Sequence, residues 1–249
     1  MKKILVTTWL TILCFLLLGN VHAWDVPSYL RVSAGYRSWF TGLQGDLIQN
    51  DRTKLGLTEN LGIKRDKLVW EFLANFRFDN IHVLRLRTEP FTVYEQSHND
   101  SFQKIRTASL GYDLDFYMTP QALLGLNLDV GWVDLDTRVR DVRAGGILYN
   151  YQQTGSRVVP GLGLHGTYYP ILTNVALRPN IGGRANWWSY ESLEAWDAEL
   201  ACSVDVPVNR LWTWSVSSGY RVWHLKVKRE RDTVDINRTG FFVETSLLF

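Results

Sequence analysis

The chain has 249 residues, 46% of them hydrophobic and 13% aromatic, with 27 Lys and Arg against 25 Asp and Glu. A formal charge of +2 leaves no basic excess for nucleic acid and no acidic excess for a cationic partner.

The chain begins with Lys2 and Lys3, a largely apolar run from Ile4 to Leu18, and small residues at Val21-His22-Ala23 before Trp24-Asp25. That order is the one of a cleaved secretory signal peptide over residues 1–23. The apolar run is shorter than the ~20 residues a spanning helix needs. Cys14 is not a lipoprotein site, because Leu13 precedes it where a small residue is wanted. Cleavage leaves 25 basic and 25 acidic residues, with Cys202 as the only cysteine. An exported chain with one cysteine has neither an internal disulfide framework nor a Cys-rich zinc site. No later apolar run approaches 18 residues, which excludes helical spans.

Ten segments of period-two alternation follow, and period two means strands. The first, Tyr29 to Phe40, sets Leu30, Val32, Ala34 and Tyr36 against Arg31, Ser33, Gly35 and Arg37. A polar connection is expected from Thr41 to Asp66. The second strand, Leu68 to Phe78, opposes Trp70, Phe72, Ala74 and Phe76 to Glu71, Leu73, Asn75 and Arg77. Asp79-Asn80 is a hairpin turn, since both residue types tolerate positive φ. The third strand, Ile81 to Glu95, carries Leu84 and Leu86 against Arg85, Arg87 and Glu89. A loop from Ser97 to Lys104 leads to the fourth, Ile105 to Met118. The fifth, Ala122 to Arg140, follows a turn at Thr119-Pro120-Gln121. A long loop is expected over Asp141 to Ser156.

The sixth strand, Arg157 to Tyr169, opposes Leu162, Leu164 and Tyr168 to Gly161, Gly163, His165 and Thr167. A turn at Pro170 to Asn174 precedes the seventh, Val175 to Trp188, and a link from Ser189 to Glu194 precedes the eighth, Ala195 to Val206. Pro207 to Arg210 turns into the ninth, Leu211 to Lys228. After Glu230 to Thr233, the tenth runs from Val234 to Phe249 and ends the chain. Its last residues place Phe241, Val243, Leu247 and Phe249 on one face and Gly240, Glu244 and Ser246 on the other, with Phe242 as an exception.

This aromatic closing strand, after an exported start and alternating segments, resembles that of small bacterial outer-membrane β-barrel proteins. No specific characterised family is matched. The resemblance implies an all-β, antiparallel up-and-down transmembrane β-barrel over residues 24–249, with tight periplasmic turns and longer outer loops. Ten strands are expected, with eight or twelve as alternatives, in the outer membrane of a Gram-negative bacterium.

A soluble β-sandwich also alternates. Aromatics at the strand ends favour the barrel, because Trp and Tyr place an apolar body in lipid and a polar tip in water. Phe76, Phe78, Phe116, Tyr117, Tyr168, Tyr169, Trp212, Trp214 and Phe249 fall near the short turns. Trp39, Phe40, Trp70, Trp132, Trp187, Trp188 and Trp223 fall towards the long loops.

The opposite faces then line the lumen. They carry Arg31, Arg37, Arg77, Arg85, Arg87, Arg178, Arg184 and Arg221, and Glu71, Glu89, Asp113, Asp115, Asp129, Asp197, Glu199, Asp205 and Glu244. A small barrel holds only side chains or one small ligand, so these charges are expected to pair in a largely filled lumen. Arginine suits that role because its planar fork pairs carboxylates bidentately.

His165 is the one histidine on a strand's polar face. A general base and a member of the polar network are both open to it, and the network is favoured because no nucleophile accompanies it. Ser97-His98, Asp134 and Asp136 do not reproduce the pattern of an outer-membrane protease or acyl hydrolase. No catalytic, cofactor or metal site is assigned, and no cofactor is expected. The expected role is structural, or interaction through the outer loops, with a rim enzyme acting on lipid or peptide and a narrow channel as alternatives. The basic runs Arg138 to Arg143 and Lys226 to Arg231 put basic residues on outer loops; contact with lipopolysaccharide phosphates and an ordinary solvated loop face are both open to them, and the solvated face is the more ordinary reading. Expected partners are outer-membrane lipids including lipopolysaccharide, and the insertion machinery during assembly. No nucleic acid is expected, and the chain reads as a monomer.

Overall fold

A computed structural model describes residues 30–49, 53–60, 63, 66–78, 81–95, 101–119, 121–144, 147–170, 178–208, 212–230 and 232–249. The signal segment and Ser97-His98 lie outside these residues.

The strands are β1 (Leu30–Gln49), β2 (Thr53–Gly56), β3 (Asp66–Phe78), β4 (His82–Glu95), β5 (Phe102–Met118), β6 (Ala122–Ala144), β7 (Ile147–Tyr168), β8 (Arg178–Tyr190), β9 (Leu193–Pro207), β10 (Thr213–Arg229) and β11 (Asp232–Leu248). All neighbours are antiparallel, and β11 pairs with β1. Ten strands therefore close a barrel, and the short β2 folds back onto the end of β1. The chain's last residue completes the seam: Val32 and Phe249 exchange two backbone hydrogen bonds of 2.8 Å. The count of ten barrel strands and the closing role of the last segment follow the sequence pattern.

Gly240 is what lets β11 approach β1. A Cβ there would lie 1.8 Å from the Phe40 carbonyl oxygen. Gly240→Ala is expected to force the seam apart at a cost of about 1–3 kcal/mol. The measurement is the folded, heat-modifiable fraction against guanidinium in vesicles, and an unchanged midpoint would refute it.

The outer wall is inverted relative to a soluble protein. Large apolar side chains project outward in one band, for example Leu124, Leu126, Leu128, Val130 and Trp132 on β6 and Leu162 and Leu164 on β7. At ~3.4 Å per residue and ~40° tilt, Leu124 to Trp132 covers about 20 Å of membrane normal. Exposed aromatics bound the band. Phe78, Phe116, Tyr117, Tyr168, Trp212 and Phe249 lie towards the end where β1 begins and β11 ends, and Phe40, Trp70, Trp132, Trp187 and Tyr190 towards the other. No soluble sheet would leave such a surface to water.

The strands continue well beyond this band at the end opposite the start of β1. β6 has 23 residues and β7 has 22, about twice the ~9–11 a tilted crossing needs. This corrects the expected loops. The span Thr41 to Asp66 contains the top of β1 and all of β2, and Asp141 to Ser156 continues the β6–β7 ladder to Ala144 opposite Ile147. These stretches read as loops because they are polar. Above the membrane a strand's outer face meets water, so polarity there is compatible with a ladder. The hairpins at Glu191 and Glu230 are tight, with φ of 48° and 52°. The turn expected at Pro170 to Asn174, and the start of the strand expected from Val175, fall mostly on residues 171–177, outside the described residues.

Three tryptophans assigned to the outer aromatic belt face inward instead. Trp39 and Trp223 are buried, and Trp188 packs against the interior core. Each sits one residue from a true belt or wall position, and a one-residue step changes face.

Candidate functional site

The lumen is built in layers. Arg37 of β1 stands opposite Glu71 of β3 on one side and Glu244 of β11 on the other. Its guanidinium donates to Glu244 at 2.6 Å and reaches across the lumen to Glu199 of β9 at 2.7 Å, with Glu71 at 3.6 Å. Arg87 of β4 also donates to Glu199 at 2.7 Å and to Asp197 at 3.3 Å. Arg221 of β10 bonds Glu71 and donates to Asp197 at 2.6 Å. Glu71, Asp197 and Glu199 thus each serve more than one arginine.

A second group lies beside it. Arg85 forks between Asp113 at 2.7 Å and Asp129 at 2.8 Å. It does so over Gly111, its cross-strand neighbour, where a Cβ would stand 2.7 Å from Arg85 Nη2. Arg184 donates to Asp113 at 2.8 Å. Towards the end where β1 begins, Asp115 accepts from Arg77 at 2.9 Å and lies 2.7 Å from His165 Nε2. A polar cavity of about 190 Å³ opens beside Arg37, His165, Asn180, Arg184 and Glu199.

Above the ionic layer is a layer of arginine–aromatic stacking. Arg37 lies 4.0 Å from the Phe242 ring centre, Arg221 4.6 Å from that of Trp39, and Arg238 4.0 Å from that of Trp223. Phe242, the exception in the closing strand, is thus the lid on Arg37. Arg238 also holds Glu89 through both carboxylate oxygens, at 2.7 and 2.9 Å.

The top layer is apolar. Leu43, Leu47, Tyr94, Ile105, Leu135, Leu225 and Ile236 meet inside the barrel with Leu55, Leu57 and Ile63 from the segment after β1. Leu57 is anchored by its backbone N–H on the Gly45 carbonyl, and Ile63 by its own on Leu57. In this region above the lipid band, burial raises the Tyr151 phenol well above its usual pKa, and Asp232 adds to the rise.

The arginines and carboxylates expected in the lumen are therefore brought together in neighbouring ion-paired groups, except at the end where β1 begins. There Arg178 is exposed and stands opposite Asp205 in the register, and Asp205 accepts from Asn180 at 3.5 Å. Arg238 was missed by the sequence reading. Its signal was present: it lies on the same stripe as Gly240 and Phe242, two residues further along. The inner apolar core was missed as well, because its residues lie beyond the expected strand ends or on the face assigned to polar groups.

His165 is a network member, bonded to Asp115. His224 pairs with Asp235 at 2.9 Å on the outer wall, its ring 5.8 Å from that of Trp196 and tilted by 30°. Both histidines keep Nδ1 buried. Asp134 is held by Arg106 at 2.6 Å and Asp136 by Thr154 at 3.1 Å, both as wall contacts.

No family model matches the chain. No curated protein matches it either. Among solved structures, the outer-membrane protease OmpT of Escherichia coli superposes with a TM-score of 0.50 at 8% identity, over 92% of this chain and 99% of that one. The fold is that of an outer-membrane β-barrel. Weaker likenesses are to the translocator domain of the autotransporter NalP from Neisseria meningitidis (TM-score 0.45, 9% identity, 87% of this chain and 88% of that one). They extend to the outer-membrane protein OprG from Pseudomonas aeruginosa (0.38, 11% identity, 91% and 98%). At these identities the likeness concerns the fold and not the activity.

Proposed function

We propose that the chain is an integral protein of the bacterial outer membrane with a sealed lumen, and that it acts through its outer end, including contact with lipopolysaccharide. The observation that carries this is the double closure of the interior. Charge pairs occupy the level of the lipid band around a polar cavity of about 190 Å³, and an apolar core lies above it. A barrel that moves solutes needs a hydrated path, and one that does chemistry at its rim needs polar groups facing into it. Here Leu, Ile and Val dominate the upper interior, and the polar side chains among them, Gln103, Thr137 and Gln153, are buried, with Thr137 hydrogen-bonded to Gln103.

What remains accessible is the extended wall above the lipid. It carries Lys104, Arg106, Lys226, Lys228 and Arg229 on or near the level where lipid phosphates sit. The purified barrel is expected to be silent in planar bilayers, with no steps above the bare-lipid baseline. Reproducible unitary conductance would overturn the sealed-lumen reading in favour of a narrow channel.

A further inference from the structure

The wall has a notch at the top of the lipid band. β7 pairs with β8 only from Gly161 opposite Trp188 to Tyr168 opposite Ile181. Above Gly161, β7 keeps β6 as its partner on one side, from Pro160 opposite Val130 up to Ile147 opposite Ala144. β8 has already turned at Glu191 into β9. The edge of β7 over Gln153 to Val159 therefore has no described strand beside it. Pro160 stands at the point of separation and has no N–H to give to a ladder.

A cavity of about 160 Å³ occupies this gap. Leu135, Leu193 and Val227 form its floor, and Arg157, Lys228 and Arg229 its rim. Gly155 faces open space, with nothing within 4 Å of where a Cβ would be. No carboxylate lines the cavity among the described residues. Asp232 stands opposite Arg229 in the hairpin register and offsets part of its charge. Arg157 and Lys228 make no ion pair among the described residues.

The position of the notch is as informative as its chemistry. Val158 is opposite Trp132 of the belt, so Arg157 lies one residue above the apolar band. Arg157 shares the inward register of Gln153 and Val159 and is exposed through the notch, while on the outer face of β7 an exposed apolar track runs down the wall through Val158, Pro160, Leu162 and Leu164, beside Trp187. A cationic pocket opening at the edge of the wall, at the upper end of an apolar track on its outer face, matches an amphiphile with an anionic head and hydrocarbon tails.

We propose that this notch is a binding site for a phosphorylated lipid of the outer leaflet, its phosphate held by Arg157, Lys228 and Arg229 and an acyl chain lying along the β7 track. The proposal rests on the outer-membrane reading above and names the place where lipid contact is made.

The test uses the mature full-length barrel in phosphatidylcholine nanodiscs, titrated with bisphosphorylated lipid A and with its dephosphorylated form. Preferential binding of the phosphorylated lipid is expected. The combined Arg157→Gln, Lys228→Gln and Arg229→Gln variant is expected to lose about a hundredfold in affinity, at roughly one order of magnitude or less per cation. Gly155→Leu, which fills the notch and keeps all three charges, is expected to weaken binding as well. Equal affinity for both lipids, or full affinity in either variant, would overturn the proposal. Competition by millimolar inorganic phosphate that leaves no lipid preference would assign the cations to free phosphate instead, and overturn it too. Heat-modifiable migration is read in every sample. A barrel that inserts but does not prefer the lipid refutes the notch alone, and a chain that never inserts refutes the membrane reading itself.

Discussion

Replacing Arg238 by methionine is expected to cost about 3–5 kcal/mol of barrel stability, the range for stripping one partner from a buried ion pair. Glu89 is held by both guanidinium nitrogens of Arg238, and both side chains are fully buried. The remaining bond to Glu89 would be the Thr92 hydroxyl at 2.5 Å, too little for an enclosed carboxylate. The carboxylates of the Arg37 group other than Glu244 are buffered by sharing. Glu71 keeps Arg37 and Arg87 within 3.6 Å if Arg221 is lost. No second arginine reaches Glu89, and both members of its pair are fully enclosed, which is why the largest electrostatic effect is expected there. The measurement is guanidinium unfolding of the barrel in phospholipid vesicles. Arg238→Met with Glu89→Met should recover most of the loss, because two apolar groups of similar size leave no charge behind. A double variant as unstable as the single would refute the explanation from uncompensated charge.

How much of this was legible beforehand depends on where along each strand one looks. Within the lipid band the pattern reads cleanly. Arg85, Arg87 and Glu89 alternate with Leu84, Leu86 and Thr88, and the structure turns the first set inward. Lipid and lumen differ sharply in polarity there, so every side chain reports its face. Above the band that contrast reverses. On β10, Tyr220 and Val222 face outward, but Trp223, Leu225 and Val227 face inward. On β11, Phe241 faces out while Ile236 and Val234 face in. The apolar stripe changes parity where the wall leaves the membrane.

A reading that keeps one apolar face per strand assigns Trp39 and Trp223 to the belt and loses the inner core. The parity change was visible in the sequence, and its physical meaning needed the closed barrel. With water outside, the interior becomes the only place to bury Leu and Ile. The distant ion pairs were a different matter. Arg37 with Glu199 and Arg221 with Glu71 join residues 162 and 150 positions apart. Their meeting depends on how the barrel is sheared, and local alternation carries no information about that.

Trp39 and Phe40 turn this into a measurement on two adjacent residues. Trp39 is wholly buried, set between the guanidinium of Arg221 at 4.6 Å and that of Arg238 at 4.9 Å. Phe40 points outward and is 43% exposed to what would be the lipid interface. Trp39→Ala is expected to cost about 3–5 kcal/mol, the range for emptying a large aromatic site in a core that cannot collapse. The wall at Trp39 is poorly able to move inward, because β1 is hydrogen-bonded there to β3 on one side and to β11 on the other. Losing two cation–π contacts pushes the cost towards the upper end. Phe40→Ala should cost no more than about 1–2 kcal/mol, because its outer surface trades one apolar neighbour for another. Vesicle unfolding midpoints of the two variants decide the matter, and similar losses would mean that the register of β1 is wrong. Conductance gives a second readout. The space left by Trp39 lies between the Arg37 layer below and Leu43 and Leu47 above, so Trp39→Ala should remain silent in planar bilayers. A current through that variant would mean that the aromatic layer alone seals the barrel.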